Sequence, residues 1–418
     1  MKTSDTSCAD NIIPGNTKSR NCASDNAKAK DLLPGDNVQY KSLTESDFPG
    51  SNSSEISRED KIHLMDVFNS IDFDKIIDHP NILIAAHFWD EDRYQAAKVC
   101  YRFMRAVDDL VDNYKSDHKV ISDTEREKLE SEVSKWISFA MQTSDNSPGN
   151  PAPESIQGLA GPALSAGSAL PAGSAGSDRS SGSSGSAGFT GSAGSVAINR
   201  DTLKALTSTM ERFHIPLWPF EAFARSMIYD IYNDGFPTLQ AFLDYSAGAS
   251  VAPASIFVHL SGLRKTEKGY QAPAFDVREV ATPCAIFSYL VHIIRDFVKD
   301  HTSNLNYFPL DLMKKYDLNR ENLLLMALGK TQIAGGFRSM ISDLYSVADE
   351  YRLNTLKTMK RIEPLVEPRS RLSLRIIFDL YSMVFERIDI ENGNFTTAEL
   401  NPTAAQIKER VRRQLLSE

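Results

Sequence analysis

The sequence is poor in cysteine, with four in 418 residues: Cys8, Cys22, Cys100 and Cys284. None forms a CxxC pair, and no Cys/His cluster has metal-ligand spacing, which excludes a zinc ribbon and a disulfide scaffold. A reducing, cytoplasmic compartment is therefore expected. A long basic tract is also missing, and the formal net charge is −9, so no nucleic-acid partner is expected. The N-terminus lacks the apolar core of a secretory signal. No apolar run reaches bilayer length. The longest, Ala281 to Ile294, suits a buried core helix, so no transmembrane segment is expected.

What is present divides into foldable and unfoldable parts. Residues 1–58 are rich in Ser, Asn, Asp, Lys and Thr and are expected to be disordered. Residues 144–196 contain GSAGSDRSSGSSGSAGFTGSAGS, a flexible-linker composition. A long loop adds closure entropy only slowly, so this insert is expected to interrupt a single domain spanning 59–418. The remainder, roughly 300 residues, can bury a large core.

Apolar residues recur at three- and four-residue spacing in 60–76, 91–114, 122–143, 218–232, 276–300, 320–347 and 370–390, which predicts helices there. Clear alternating strands are lacking. Breaks are predicted at Pro216 and Pro219, Gly235-Phe236-Pro237, Pro309 and Pro368. The fold class is all-α: a single large helical bundle with a central cavity.

Two segments carry chemistry. In YRFMRAVDDLVD, residues Tyr101, Arg105, Asp108 and Asp112 fall on one helical stripe, while Phe103, Val107 and Leu110 face the other way. Carboxylates one turn apart repel each other and disfavour the helix. A hard divalent cation such as Mg²⁺ relieves this, taking one or two carboxylates and completing its shell with water and phosphate oxygens. Alone, the cluster also reads as a solvated acidic face with Arg105 as an ion-pair partner. The second segment favours the metal: Ala285, Tyr289, His292, Asp296 and Asp300 form another stripe, beside Arg295, after a strongly apolar run. Carboxylates ending a buried helix are costly unless paired or metal-bound. Two such helices face to face would cage a magnesium–diphosphate cluster.

With these residues the sequence resembles the squalene/phytoene synthase family. YRFMRAVDDLVD is similar to that family's first aspartate motif and HIIRDFVKD to its second. NLNYFPLDLMKKYDL is similar to the segment that follows, through Tyr307 and Pro309. The region between includes Asp230, Tyr245 and Gly248 in matching places. The resemblance runs from about Pro80 to Phe395. It implies head-to-head joining of two allylic isoprenoid diphosphates, with two farnesyl diphosphates giving presqualene diphosphate or squalene as the leading expectation. Asp108, Asp109, Asp112, Asp296 and Asp300 would bind Mg²⁺. Arg105 and Arg295 would hold diphosphate, for which a guanidinium fork is suited. Tyr101, Tyr307 and Tyr381 would line the reaction chamber.

The chain departs from the family pattern at Tyr289 and His292, where Gln and Asn are usual; both are kept here as substrate-binding candidates. The family's Ser/Phe-rich diphosphate segment is replaced by HPNILIAAHFW, and the usual Arg after the last aromatic is missing from NFTTAEL. No Gly-rich dinucleotide fingerprint indicates NADPH, though reductive members of the family do not rely on one. Product release could involve a peripheral membrane contact, and oligomeric state is left open. A class I terpene cyclase and a catalytically inactive relative acting as an assembly or binding protein are the competing readings.

Overall fold

Several helices start at residues that satisfy their first amide groups. Thr238 accepts from the Ala241 amide, and Asp276 accepts from the amides of Arg278 and Glu279. Asn319 and Thr396 close capping boxes, and Pro368 opens its helix at a position where a missing N–H costs nothing. The computed structural model describes residues 58–74, 81–117, 121–144 and 200–417. The polar tail and the Gly/Ser-rich insert of the sequence reading lie outside the described residues, except for the helix ends at Arg58 and Ser144.

The chain is all-α. Its helices are α1 (Arg58–Ser70), α2 (Asn81–Ala86), α3 (Glu91–Asp117), α4 (Asp123–Ser144), α5 (Arg200–Phe213), α6 (Trp218–Tyr232), α7 (Leu239–Ser246) and α8 (Ala252–Gly262), with a π-helical turn at Ala247–Val251. After a short hairpin, β1 (Arg264–Thr266) and β2 (Gly269–Gln271), come α9 (Val277–Arg295), α10 (Phe297–Thr302), α11 (Leu310–Lys315), α12 (Arg320–Ala327), α13 (Gly335–Ile362), α14 (Pro368–Phe385), α15 (Thr397–Leu400) and α16 (Ala404–Ser417).

Two large apolar cores share these helices. The first gathers Phe88, Phe103, Val107, Leu206, Phe220, Leu260 and Leu372. The second gathers Phe287, Leu290, Val291, Phe337, Met340, Leu344 and Phe385. Each such side chain, fully buried, stabilises the fold by about 1.5–3 kcal/mol. Helix α3 belongs to the first core and α9 to the second. The π-turn lies between them. A β-carbon on Gly248 would stand 2.2 Å from the Ser226 hydroxyl and 2.3 Å from the Ala222 carbonyl of α6. On its other side, Ser250 donates to the Ala285 carbonyl of α9 at 2.9 Å. Buried Arg93 ties α3 to α14, donating to Glu367 at 2.8 Å and to the Leu263 carbonyl at 3.0 Å.

The structure corrects three expectations and adds a detail to a fourth. The helix predicted over 276–300 is two helices, broken at Asp296 (φ −89°, ψ 8°). Neighbouring residues do not face each other on a regular helix, so the two-bond pairing of Arg295 with Asp296 accompanies a local departure from it. The helix predicted over 320–347 ends at Ala327 and a new one starts at Gly335. Gly329 adopts φ +66° beyond the first, the left-handed geometry in which helices commonly terminate. The β1–β2 hairpin pairs Arg264 with Gln271 and Thr266 with Gly269, too short a ladder to give an alternating pattern. Finally, Leu239–Gly262 and Val277–Arg295 are long and apolar enough, by length and composition, to cross a bilayer. More than half of each is buried inside the fold, as in a core helix.

Candidate active site between the two cores

The first aspartate stripe projects from the middle of α3. Apolar Phe103 and Val107, wholly buried, fix that helix on its core. The opposite face carries Tyr101, Asp108 and Asp112, partly buried, and Arg105, exposed. The second stripe comes from the end of α9 and from α10. The bonds from the Asp296 amide to the His292 carbonyl and from the Asp300 amide to the Asp296 carbonyl, both 2.8 Å, preserve the four-residue register across the break.

The carboxylates of the two stripes sense one another. Burial pushes Asp108 up to about 8, helped by the charge of Asp112 and opposed by Arg105. Burial also raises Asp112, against the pull of Arg105, Lys115 and Lys299. Asp300 is pushed to about 7, first by burial and then by the charge of Asp296, with Asp112 adding to it. Asp296 behaves oppositely: burial raises it, but the hydrogen bonds and charge of Arg295 outweigh burial and hold it below the ordinary range. Among the described residues no three carboxylate, imidazole or thiolate groups close around one point.

Both arginines are engaged by carboxylates. Arg105 lies 3.1 Å from Asp108 and 2.6 Å from Asp109. Asp109 thus sits off the stripe, as the ion-pair partner of Arg105. Arg295 donates from Nε and Nη2 to the two oxygens of Asp296, at 2.8 and 2.7 Å.

Aromatic side chains wall the carboxylates. The Tyr289 ring stacks on Phe242 at 5.1 Å and faces Tyr245 at 6.2 Å. Burial raises Tyr245, Tyr289 and Tyr307 well above the phenol range, with nearby carboxylates adding to it. All three are therefore neutral phenols. Tyr381 meets His292 edge to face at 5.1 Å, within electrostatic range of Tyr101 and Arg295. Burial, with the charges of Arg295 and Lys299, lowers His292 to about 3, so its imidazole is neutral. Tyr307 lies on the loop between α10 and α11. That loop is pinned against the α6–α7 connection where the Leu310 amide donates to the Phe236 carbonyl at 2.9 Å. Electrostatic contact thus links Asp108, Asp112, Asp296 and Asp300 with Tyr289, His292, Arg295 and Tyr307, while Asp109 turns to Arg105 and Gly248 packs against α6.

Three further polar groups belong to it. Asp230 on α6 accepts a hydrogen bond from Tyr245. Burial raises Asp230 to about 7, against the pull of that bond and of Lys115. Lys115 on α3 donates to the carbonyls of Asp230 and Asn233 at 2.7 and 3.0 Å, capping the end of α6. Lys299 on α10 is close enough to act on Asp112, Asp296 and Asp300. Both lysines follow an aspartate of the stripes by three residues, a spacing that places them on the same faces.

Among curated proteins none matches the sequence. Among solved structures, a dehydrosqualene synthase in complex with ligand superposes with a TM-score of 0.50 at 13% identity, covering 86% of this chain and 100% of that one; at that identity the likeness shows the fold. A squalene synthase, HpnC from Alicyclobacillus acidocaldarius, superposes with a TM-score of 0.47 at 13% identity, covering 88% of this chain and 98% of that one. The squalene/phytoene synthase family model matches residues 79–408, a span that contains both aspartate stripes, and the chain belongs to that family.

Proposed function

We propose that the protein joins two allylic isoprenoid diphosphates head to head, with two farnesyl diphosphates giving presqualene diphosphate as the leading case. The observation that carries this reading is the gathering of two aspartate pairs, from different helices and different cores, in one aromatic-walled region with two arginines and two lysines.

The residues fit Mg²⁺. Asp108, Asp112 and Asp300 are all disfavoured in their charged forms without a cation. Because no three ligands converge, each ion would take one or two carboxylates from Asp108, Asp112, Asp296 and Asp300 and rely on water and diphosphate for the rest, which suits Mg²⁺. Such ions would neutralise the diphosphate that departs.

The chain's own residues do the remainder. Arg105 and Arg295 are held by Asp109 and Asp296, so a diphosphate entering the site competes for guanidinium forks already in place. Neutral phenols and the neutral His292 ring present π-faces and dipoles without a base strong enough to quench an allylic cation. The C–O bond of one substrate breaks, the second substrate's alkene attacks the cation, and loss of a proton to the released diphosphate closes the cyclopropane. Water must be kept away during this sequence, which the apolar cores on either side favour.

The test is magnesium-dependent release of diphosphate from farnesyl diphosphate, followed by analysis of the organic phase. A C30 product, as its diphosphate or as hydrocarbon, is expected. Cyclic C15 products would replace this reading with a terpene cyclase, and no release of diphosphate under any metal would make the chain a non-catalytic member of its family.

A further inference from the structure

A cavity lies apart from the aspartates. Its volume is about 330 Å³, within the range of small-ligand pockets. It opens between α13 and α14, which are joined by the tight turn Glu363–Leu365, and Gln414 of α16 forms part of its edge. Leu356, Met359, Ile362, Val366, Leu374 and Phe378 line it. None of these belongs to the aspartate site.

The mouth has a charge of one sign to spare. Lys360, Arg371 and Arg375 border it, against Glu363 and Asp379. Both carboxylates are occupied, Glu363 by Arg375 and Asp379 by Arg410 at 2.8 Å and by Gln414 at 2.8 Å. Lys360 is exposed at the rim. The cavity is thus an apolar slot with a cationic lip, on a chain whose net charge is −9. Leu353 and Leu356, both more than 40% exposed on α13, extend the apolar surface outward from it.

We propose that this slot binds one single-chain anionic amphiphile, its hydrocarbon tail between α13 and α14 and its head at Lys360. Each buried methylene favours binding by about 0.8 kcal/mol, and an ammonium at the rim selects a carboxylate or phosphate head. Fatty acids and prenyl phosphates share this chemistry. The site is independent of the reaction proposed above.

The experiment is calorimetric titration of the full chain with dodecyl phosphate below its micellar concentration. One saturable site is expected. Met359→Trp, which fills the slot, should weaken binding by at least about tenfold, and Lys360→Glu by about five- to tenfold, a change of about 1 kcal/mol. Lys360 is exposed, so its variant should melt as the parent does, and Leu356→Trp is a second plug should Met359→Trp fold poorly. Farnesyl monophosphate and dodecanoate serve as the two source arms, and tighter binding of either identifies the source while supporting the site. Binding that survives Met359→Trp and Leu356→Trp but disappears in Arg295→Ala would place the chain at the aspartates and overturn the proposal. So would loss of farnesyl diphosphate turnover in a well-folded Met359→Trp, since the slot would then be part of the reaction chamber. Association only with phosphatidylglycerol vesicles, and not with monomeric amphiphile, would overturn it in favour of membrane docking.

Discussion

Asp300→Asn should make the metal-free protein more stable at pH 8 while removing its activity. Burial and the charge of Asp296 hold Asp300 near 7 in the fold, against 3.8 ordinarily. A carboxyl that keeps its proton more tightly when folded favours the fold at low pH. That contribution is complete below about pH 4 and is lost as the pH rises through 7. At about 1.4 kcal/mol per pH unit, the difference of roughly three units corresponds to about 4 kcal/mol. The side chain is 8% exposed, so solvent screening leaves most of this in place. An amide of the same shape removes the ionisation. At roughly 2 °C per kcal/mol for a chain of this size, the variant should melt roughly 5–10 °C above the parent in EDTA at pH 8. Below about pH 4 the gap should close. Asp108, pushed up to about 8, acts in the same direction, whereas the buried neutral His292 and His301, lowered to about 3 and about 4, favour the fold as the pH rises, so the effect of Asp300 is read from the difference between variant and parent. Millimolar Mg²⁺ should restore the parent more than the variant. The assay is scanning calorimetry across pH with and without Mg²⁺. An Asp300→Asn protein no more stable than the parent at pH 8 without metal would refute the reasoning.

Gly248→Ala puts a methyl group against Ser226 and Ala222; a loss of about 1–3 kcal/mol in urea unfolding is expected, with turnover falling in the protein that remains folded, and an unchanged midpoint would count against the close packing. Tyr245→Phe removes the hydrogen bond to Asp230, one of the forces opposing burial, so the Asp230 carboxyl should titrate above its present value of about 7; ¹³C NMR of labelled aspartate reads this directly, and a downward move would be the contrary result. His292→Asn should keep most activity and His292→Leu should raise the Mg²⁺ or substrate requirement. Normal kinetics for the Leu variant would reduce His292 to packing against Tyr381.

The all-α fold and the register of both aspartate stripes were legible because they depend on spacing within a single helix. Asp108 and Asp112 are separated by four residues in any helix, and apolar Phe103 and Val107 identify the buried face without knowledge of what covers it. What could not be read depends on partners distant in sequence. Arg105 is an exception, because its partners Asp108 and Asp109 lie one turn along the same helix and the ion pair was one of the two readings open in the sequence. The break at Asp296 was hidden because HIIRDFVKD contains neither proline nor glycine. Lys115 and Lys299 were overlooked although their spacing placed them on the stripes, because a lysine on a helix is ordinarily solvated. The bond between Tyr245 and Asp230 joins α7 to α6 across the loop between them. For His292, the alternative of a core histidine bonded to a backbone carbonyl finds no such bond among the described residues; its ring contact is with Tyr381.

The placement of the two stripes on separate cores has a physical consequence. Like charges between α3 and α10 push the cores apart, so contacts elsewhere must hold the spacing. Three are evident: Gly248 lets the π-turn press against α6, Ser250 ties that turn to α9, and Arg93 joins α3 to α14. Tyr381 packs against both cores and adds a fourth. None of these groups except Tyr381 is on the aspartate walls. The repulsion is therefore borne by apolar packing, a glycine, a neutral hydrogen bond and an ion pair away from the stripes, whose strength does not depend on the protons of the stripe carboxylates. A cation entering between the stripes can then relieve the repulsion without reorganising the cores, which leaves its binding energy available for the diphosphate.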